Sequence, residues 1–183
     1  MHLNVERLSA FDAAAYRQLR LEGLHRYPCA FAADYAEEAE LPLDQFARRL
    51  EEGAVFGARQ GTQLCGLAAF VPAPLRKKRH KATLAGVYVA QTARGLGVGS
   101  ALVGRVIGHA RSRVDQLHAV VVTTNLAARR LYARHGFRAY GIEPRALKVG
   151  DDYFDQELLV LCFEHPVRLR QPAALGDMVA HAD

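Results

Sequence analysis

Cysteine is scarce in this chain, three in 183 residues, at positions 29, 65 and 162. An odd count at wide spacing argues against a disulfide framework and against zinc, and no metal is expected. Cys65 and Cys162 sit in apolar runs and read as buried thiols. Cys29 lies in a loop-like stretch, and nothing beside it marks it as reactive. No apolar run approaches the length of a membrane span, so no membrane partner is expected. A basic segment followed by an apolar one is missing from the start of the chain, which makes a cytoplasmic location the expectation. Internal repeats and linkers are missing too. The expected organisation is one domain over residues 1–165 and a tail over 166–183, either a short helix or mobile. Strong charge of one sign is also lacking. A formal net charge of +5 suits an anionic ligand without selecting one, and nucleic acid is not an expected partner.

What is present is a globular profile, half apolar and 23% charged. Alternation over 3–8 predicts a strand, and Asp12 is an N-cap for a helix reaching Leu24. Residues 27–41 read as loop or broken helix with an acidic cluster, Asp34, Glu37, Glu38 and Glu40. A second helix runs from Pro42 to near Gly53. Strands over 54–59 and 63–71 flank a short hairpin connection. A basic run, Arg76-Lys77-Lys78-Arg79-His80-Lys81, precedes a central strand over 83–89. That run is either a solvated loop or a contact for an anion, the cofactor or an acidic substrate. The continuous apolar run 117–123 suits a strand covered on both faces. A helix over 125–134 follows, then strand pieces over 137–142 and 146–149 and a last strand over 153–163. The order describes an α/β layer with a mixed sheet.

The organising stretch is Val87 to Gly99. Val87-Tyr88-Val89 is β-forming. Arg94-Gly95-Leu96-Gly97-Val98-Gly99-Ser100 then leads into a helix with apolar residues at Leu102, Val103, Val106, Ile107 and Ala110. Glycines let the backbone approach a ligand closely. Loop and helix N–H groups together favour a phosphate or pyrophosphate, and Arg94 adds positive charge. The dinucleotide fingerprint fails at Ser100 and at Leu102, and the Walker pattern fails because Arg105-Val106 follows Gly104. A second motif is Asn125-Leu126-Ala127-Ala128-Arg129-Arg130-Leu131-Tyr132-Ala133-Arg134-His135-Gly136-Phe137. Asn125 takes an N-cap position. Asn125 and Tyr132 lie two helical turns apart on one face, and the small Ala128 between them leaves room for a ligand.

These residues resemble the two cofactor motifs of the GNAT superfamily of N-acetyltransferases, Arg-x-x-Gly-x-Gly and Asn-x-x-Ala-x-x-Leu-Tyr-x-x-x-Gly-Phe. Residues 140–149 and 153–155 look like a bacterial branch with unassigned substrates. The resemblance implies a mixed, mostly antiparallel sheet of six to seven strands with about four helices. A V-shaped split is expected between the fourth and fifth strands, 83–89 and 117–123. It implies acetyl transfer from acetyl-CoA to a primary amine of a small molecule or peptide. The pantetheine arm would pair with Val87 and Val89, Tyr88 lying between them. The pyrophosphate would rest on the amides of Gly95, Gly97, Val98, Gly99 and Ser100, with Arg94 and Leu96 in the same loop. Asn125 and Ala128 would border the pantetheine. By analogy alone, two copies would pair through their last strands.

The resemblance also makes Tyr132 the expected general acid for the CoA thiolate, and a backbone N–H near Val89 the expected oxyanion donor. The base stays open among Glu22, Glu40, His80, Glu143 and a water chain, because 85–87 carries no carboxylate. A non-catalytic acyl-CoA sensor on the same fold is the alternative. The acceptor is expected to enter over the loop Tyr27 to Leu41, whose acidic cluster is either an attraction for a cation or a solvated face.

Overall fold

In a computed structural model, residues 3–163 are described. The tail expected over 166–183 lies outside them. The chain runs β1 (Leu3–Arg7), α1 (Ala13–Arg26), α2 (Tyr35–Ala39), α3 (Leu43–Glu52), β2 (Ala54–Gln60), β3 (Gln63–Pro72) and β4 (Lys81–Val89). It continues through α4 (Val98–Ala110), β5 (Gln116–Val122), α5 (Leu126–Arg134), β6 (Arg138–Val149) and β7 (Asp152–Cys162). The strands form a seven-stranded sheet in the order β1-β2-β3-β4-β5-β7-β6. Every neighbouring pair is antiparallel except β4 and β5. The mixed sheet agrees with the sequence reading. The described residues hold five helices rather than about four, because 27–41 contains the short α2.

Alternation along β4 sends neighbouring side chains to opposite faces. Tyr88 joins the core built by α1 and α3 around Tyr16, Leu19, Phe46 and Leu50. Val87 and Val89 pack on the other core, where α4 lays down Val98, Leu102, Val103 and Val106 against Leu117, Ala119 and Val121 of β5. The central strand is therefore held from both sides. Each fully buried Val, Leu or Phe among them contributes about 1.5–3 kcal/mol.

The fourth and fifth strands part early. They pair only from Lys81 to Thr83 against Gln116 to His118. The cause lies inside β4. Between the pairs Leu67–Tyr88 and Ala69–Ala85, β4 carries one residue more than β3, and Gly86 adopts φ +61°. A bulge of this kind bends its strand and raises the local twist. The upper half of β4 keeps β3 as its partner and swings away from β5, opening a wedge.

Four readings change. Asp12 stands at the N-cap of α1, but its carboxylate accepts from Ser9 N and Oγ and pairs with Arg59 instead of capping the helix. The strand pieces 137–142 and 146–149 are one strand, β6, whose register shifts twice. One shift spans Pro144, which has no N–H to give, and Arg145 at φ +53°. Cys65 is buried as expected, but Cys162, at the end of β7, is exposed. The acidic cluster divides: Glu37 and Glu40 are exposed, while Asp34 and Glu38 have structural partners. Asp34 accepts from the amides of Ala36 and Glu37 at the start of α2. Glu38 is buried between Arg20 (3.0 Å) and Arg49 (3.2 Å), tying α2 to α1 and α3. Burial alone would raise the Glu38 pKa, but the hydrogen bonds and charge of Arg20, then of Arg49, hold it below the ordinary value.

Candidate active site

The wedge forms a cleft of about 650 Å³, a size suited to a small organic ligand. One wall is the upper half of β4 with Val87, Tyr88 and Val89; another is the loop after it with Arg94, Gly95 and Gly97. The start of α4 supplies Val98, Gly99 and Ser100, and α5 supplies Asn125, Ala127, Ala128, Leu131 and Arg134. Every cofactor residue expected from sequence lines this cleft except Leu96, which points outward and is 55% exposed.

The loop conformation is what the glycines make available. Gly95 has φ +77° and Gly97, the N-cap of α4, has φ +79°. A Cβ built on either meets nothing within 4 Å, so both open onto free space. The first α4 bond runs from Ala101 N–H to Gly97 O at 3.0 Å. Helix geometry leaves the N–H groups of Val98, Gly99 and Ser100 without partners in the helix. They form a cradle for an anion, and the positive end of the α4 dipole lies behind it. Gly99 has a packing reason as well: a Cβ there would lie 3.3 Å from Leu131 Cδ2, so α4 and α5 meet closely at the cleft.

Arg94 donates from Nε to Val89 O at 3.2 Å, and its Cζ stands 4.6 Å from the Tyr27 ring centroid. Ser100 Oγ lies 2.8 Å from His135 Nε2. Burial, then the charge of Arg134, lowers the His135 pKa, so the imidazole is neutral near pH 7 and orients the serine hydroxyl. Asn125 Oδ1 accepts from Ala128 N–H at 3.1 Å, capping α5. A bidentate pair between Arg129 and Glu157 (2.9 and 3.0 Å) fixes α5 to β7.

Tyr132 is set deeper than its neighbours on α5. It is 6% exposed, packs on Phe137 at 5.6 Å between ring centroids, and is not among the residues lining the cleft. Burial pushes its pKa up to about 12.

A further wall comes from the 27–41 stretch, over which the acceptor is expected to enter, though no cofactor or catalytic residue is expected in it. Tyr27, Cys29, Ala30 and Phe31 line the cleft from the segment after α1. Val122 and Thr124 complete it from the end of β5. Only tertiary packing brings 27–31 here, and no local spacing signals it. The basic run does not reach the cleft. It ends where β4 begins, about 26 Å along the strand from Val89.

The Acetyltransferase (GNAT) family model matches residues 20–137. The chain belongs to this family. Among solved structures it is similar to a GNAT-family acetyltransferase from Streptococcus pneumoniae, with a TM-score of 0.80 at 20% identity over 89% of this chain and 100% of that one. It is similar to a ribosomal-protein-alanine N-acetyltransferase from Brucella melitensis, with a TM-score of 0.78 at 23% identity over 87% and 99%. The yncA protein of Salmonella typhimurium, solved with its cofactor acetyl-CoA, gives a TM-score of 0.77 at 20% identity over 93% and 99%. No curated protein matches. At these identities the likeness of structures shows the GNAT fold and leaves the acceptor unnamed. The glycine cradle and the wedge fit the diphosphate and the extended arm of acetyl-CoA.

Proposed function

We propose that this GNAT family member transfers the acetyl group of acetyl-CoA to a primary amine of a small molecule or peptide, by direct attack in a ternary complex. The observation that carries the reading is the junction of two features in one cleft: the parted edge of β4 and the open amide cradle at α4. Acetyl-CoA supplies an activated acyl thioester when bound. The amides of Gly95, Gly97, Val98, Gly99 and Ser100 hold its diphosphate, with Arg94 beside them. The main chain at Val87 and Val89 pairs with the pantetheine as an added strand would, while Asn125 and Ala128 border it. A main-chain N–H of β4 between the Gly86 kink and Val89 serves the developing oxyanion.

Tyr132 gives the leaving thiolate its proton or a hydrogen bond. Its raised pKa keeps it a neutral donor at physiological pH. Against a thiolate near 8.5, complete transfer from a group near 12 is uphill by about 4.8 kcal/mol. The hydrogen bond is therefore its main contribution before a solvent proton arrives. On the amine side, a primary amine of pKa about 10.4 must lose a proton at a cost of ~4.6 kcal/mol at pH 7, whereas an α-amine near 8 needs ~1.4. Of the four candidate bases, Glu22 alone contacts a cleft-lining side chain. Its Oε1 accepts from Tyr88 Oη at 2.9 Å, and it faces a second hollow beside Gln63 and Gln91. We assign Glu22 the role of drawing the proton out through Tyr88 or an adjoining water.

The second reading, an acyl-CoA sensor, draws on one observation: no carboxylate or imidazole lines the cleft itself. Thiol release across a panel of α-amino peptides, lysine peptides and small polyamines separates the two. CoA release above the no-acceptor rate on any of them supports transfer. Tight acetyl-CoA binding with no release on all of them leaves the sensor.

A further inference from the structure

Two loops that are far apart in sequence meet at the end of the sheet away from the cleft. The β3–β4 connection carries Arg76, Lys77, Lys78 and Arg79, all exposed, and Lys81 follows at the start of β4. The α4–β5 connection carries Arg111 and Arg113, also exposed. His80 O accepts the amides of Asp115 (2.8 Å) and Gln116 (3.1 Å), which locks the loops side by side. Among the described residues, these two loops and the start of β4 hold seven cations and one acidic residue, Asp115. The ion pairs of Glu38, Glu22, Asp44, Glu6, Asp12 and Glu157 take none of these seven cations, while Arg111 stands 5.7 Å from the Phe163 ring centroid and Arg113 donates to His109 O at 2.7 Å. The chain's net charge of +5 hides this segregation.

We propose that this surface binds a single-stranded nucleic acid through its phosphates, apart from the acetyl-transfer cleft. The segregation of charge argues for it. Seven cations with one carboxylate among them call for an unbroken run of negative charge. A nucleic-acid strand carries a phosphate at every nucleotide with no positive charge between them, whereas a folded acidic surface mixes its carboxylates with lysines and arginines. The run 76–79 starts in a short 3₁₀ turn (Arg76–Lys78), which projects its side chains in several directions and suits a flexible backbone better than one fixed pocket. No exposed aromatic lies in either loop to stack on bases, so binding is electrostatic and tolerant of sequence. The separation of about 26 Å along β4 lets cofactor and strand bind together.

The test uses the full chain, a fluorescein-labelled 20-nucleotide poly(U) RNA, and polyglutamate of similar charge as competitor. Binding is followed by anisotropy between 20 and 200 mM NaCl. Contact with four to six phosphates gives a slope of log Kobs against log salt of about −3 to −4. The variant Arg76→Ser/Lys77→Ser/Lys78→Ser/Arg79→Ser is expected to weaken RNA binding at least 30-fold and to flatten the slope by about 3. Arg113→Ser, from the other loop, is expected to weaken it about 2- to 5-fold. Acetyl-CoA affinity and melting temperature should stay as in wild type for the four-residue variant, which keeps this test separate from the proposed acetyl transfer. No salt-dependent binding by wild type, unchanged binding by the four-residue variant, or equal competition by polyglutamate overturns the proposal; the last result assigns the surface to an acidic protein instead.

Discussion

Replacing Gly97 with alanine separates the cost of a backbone conformation from the cost of a lost ligand contact. Gly97 sits at φ +79°, where a side chain strains the backbone by about 1–2 kcal/mol. A methyl group there meets no atom within 4 Å, so no packing term adds to that strain. At about 1 kcal/mol per 2–4 °C for a domain of this size, the free protein should melt 2–8 °C lower and stay folded. In the proposed complex the same methyl projects into the cradle that would hold the diphosphate. Losing one charge-assisted amide bond costs about 1.5–3 kcal/mol, or roughly 10- to 150-fold in acetyl-CoA affinity. Calorimetric titration and a thermal melt read the two effects independently. Gly66→Ala is the opposite control: its Cβ would lie 2.8 Å from Leu102 Cδ1 and 2.9 Å from Val98 Cγ1, so it should lose stability without any direct loss at the cradle. A Gly97→Ala protein that binds acetyl-CoA within twofold of wild type refutes the placement of the diphosphate.

Tyr132→Phe should lower kcat about 10- to 100-fold with acetyl-CoA affinity nearly unchanged; equal kcat removes its role with the thiolate. The raised Tyr132 pKa carries a pH signature. The folded state keeps the phenol protonated between about 10 and 12, while the unfolded state loses the proton near 10, so stability is intact below pH 10 and falls by ~2.7 kcal/mol as pH rises to 12. Urea melts should show that fall diminished in Tyr132→Phe. Glu22→Gln should cut kcat/KM at pH 7 more for an ε-amine acceptor than for an α-amine, and equal losses on both would deny it a part in proton removal. Glu38→Gln leaves Arg20 and Arg49 without their counter-ion and should destabilise by about 3 kcal/mol. The wild-type protein should also lose stability as pH falls from the ordinary glutamate range through the depressed Glu38 pKa, because its carboxylate is stabilised only while ionised.

The parts of the site legible in sequence are those whose geometry is local. Gly95 and Gly97 announce left-handed backbone by being glycine, and Asn125, Ala128 and Gly136 mark the length and open face of one helix. The cradle and its neighbour helix could therefore be read directly. The 27–41 stretch was legible only as the loop over which the acceptor enters; which of its side chains line the cleft, Tyr27 and Phe31 among them, is set by the packing of α1 on β4. Gly86 was equally silent: one glycine in a strand has many meanings, and its bulge appears only against the register of β3. Glu38 looked like one acid in an exposed cluster until α1 and α3 brought Arg20 and Arg49 to it. Likewise Arg111 and Arg113 join the basic run only through the hydrogen bonds to His80 O. Tyr132 shows the limit of face arguments: it shares a helix side with Asn125, but it is buried in the core beside Phe137.

The most direct test is a crystal structure of the chain with acetyl-CoA. The account predicts the thioester arm between β4 and β5, paired with Val87 and Val89, and the diphosphate on the amides from Gly95 to Ser100. A diphosphate bound elsewhere, or an arm lying outside the gap between these strands, would contradict it.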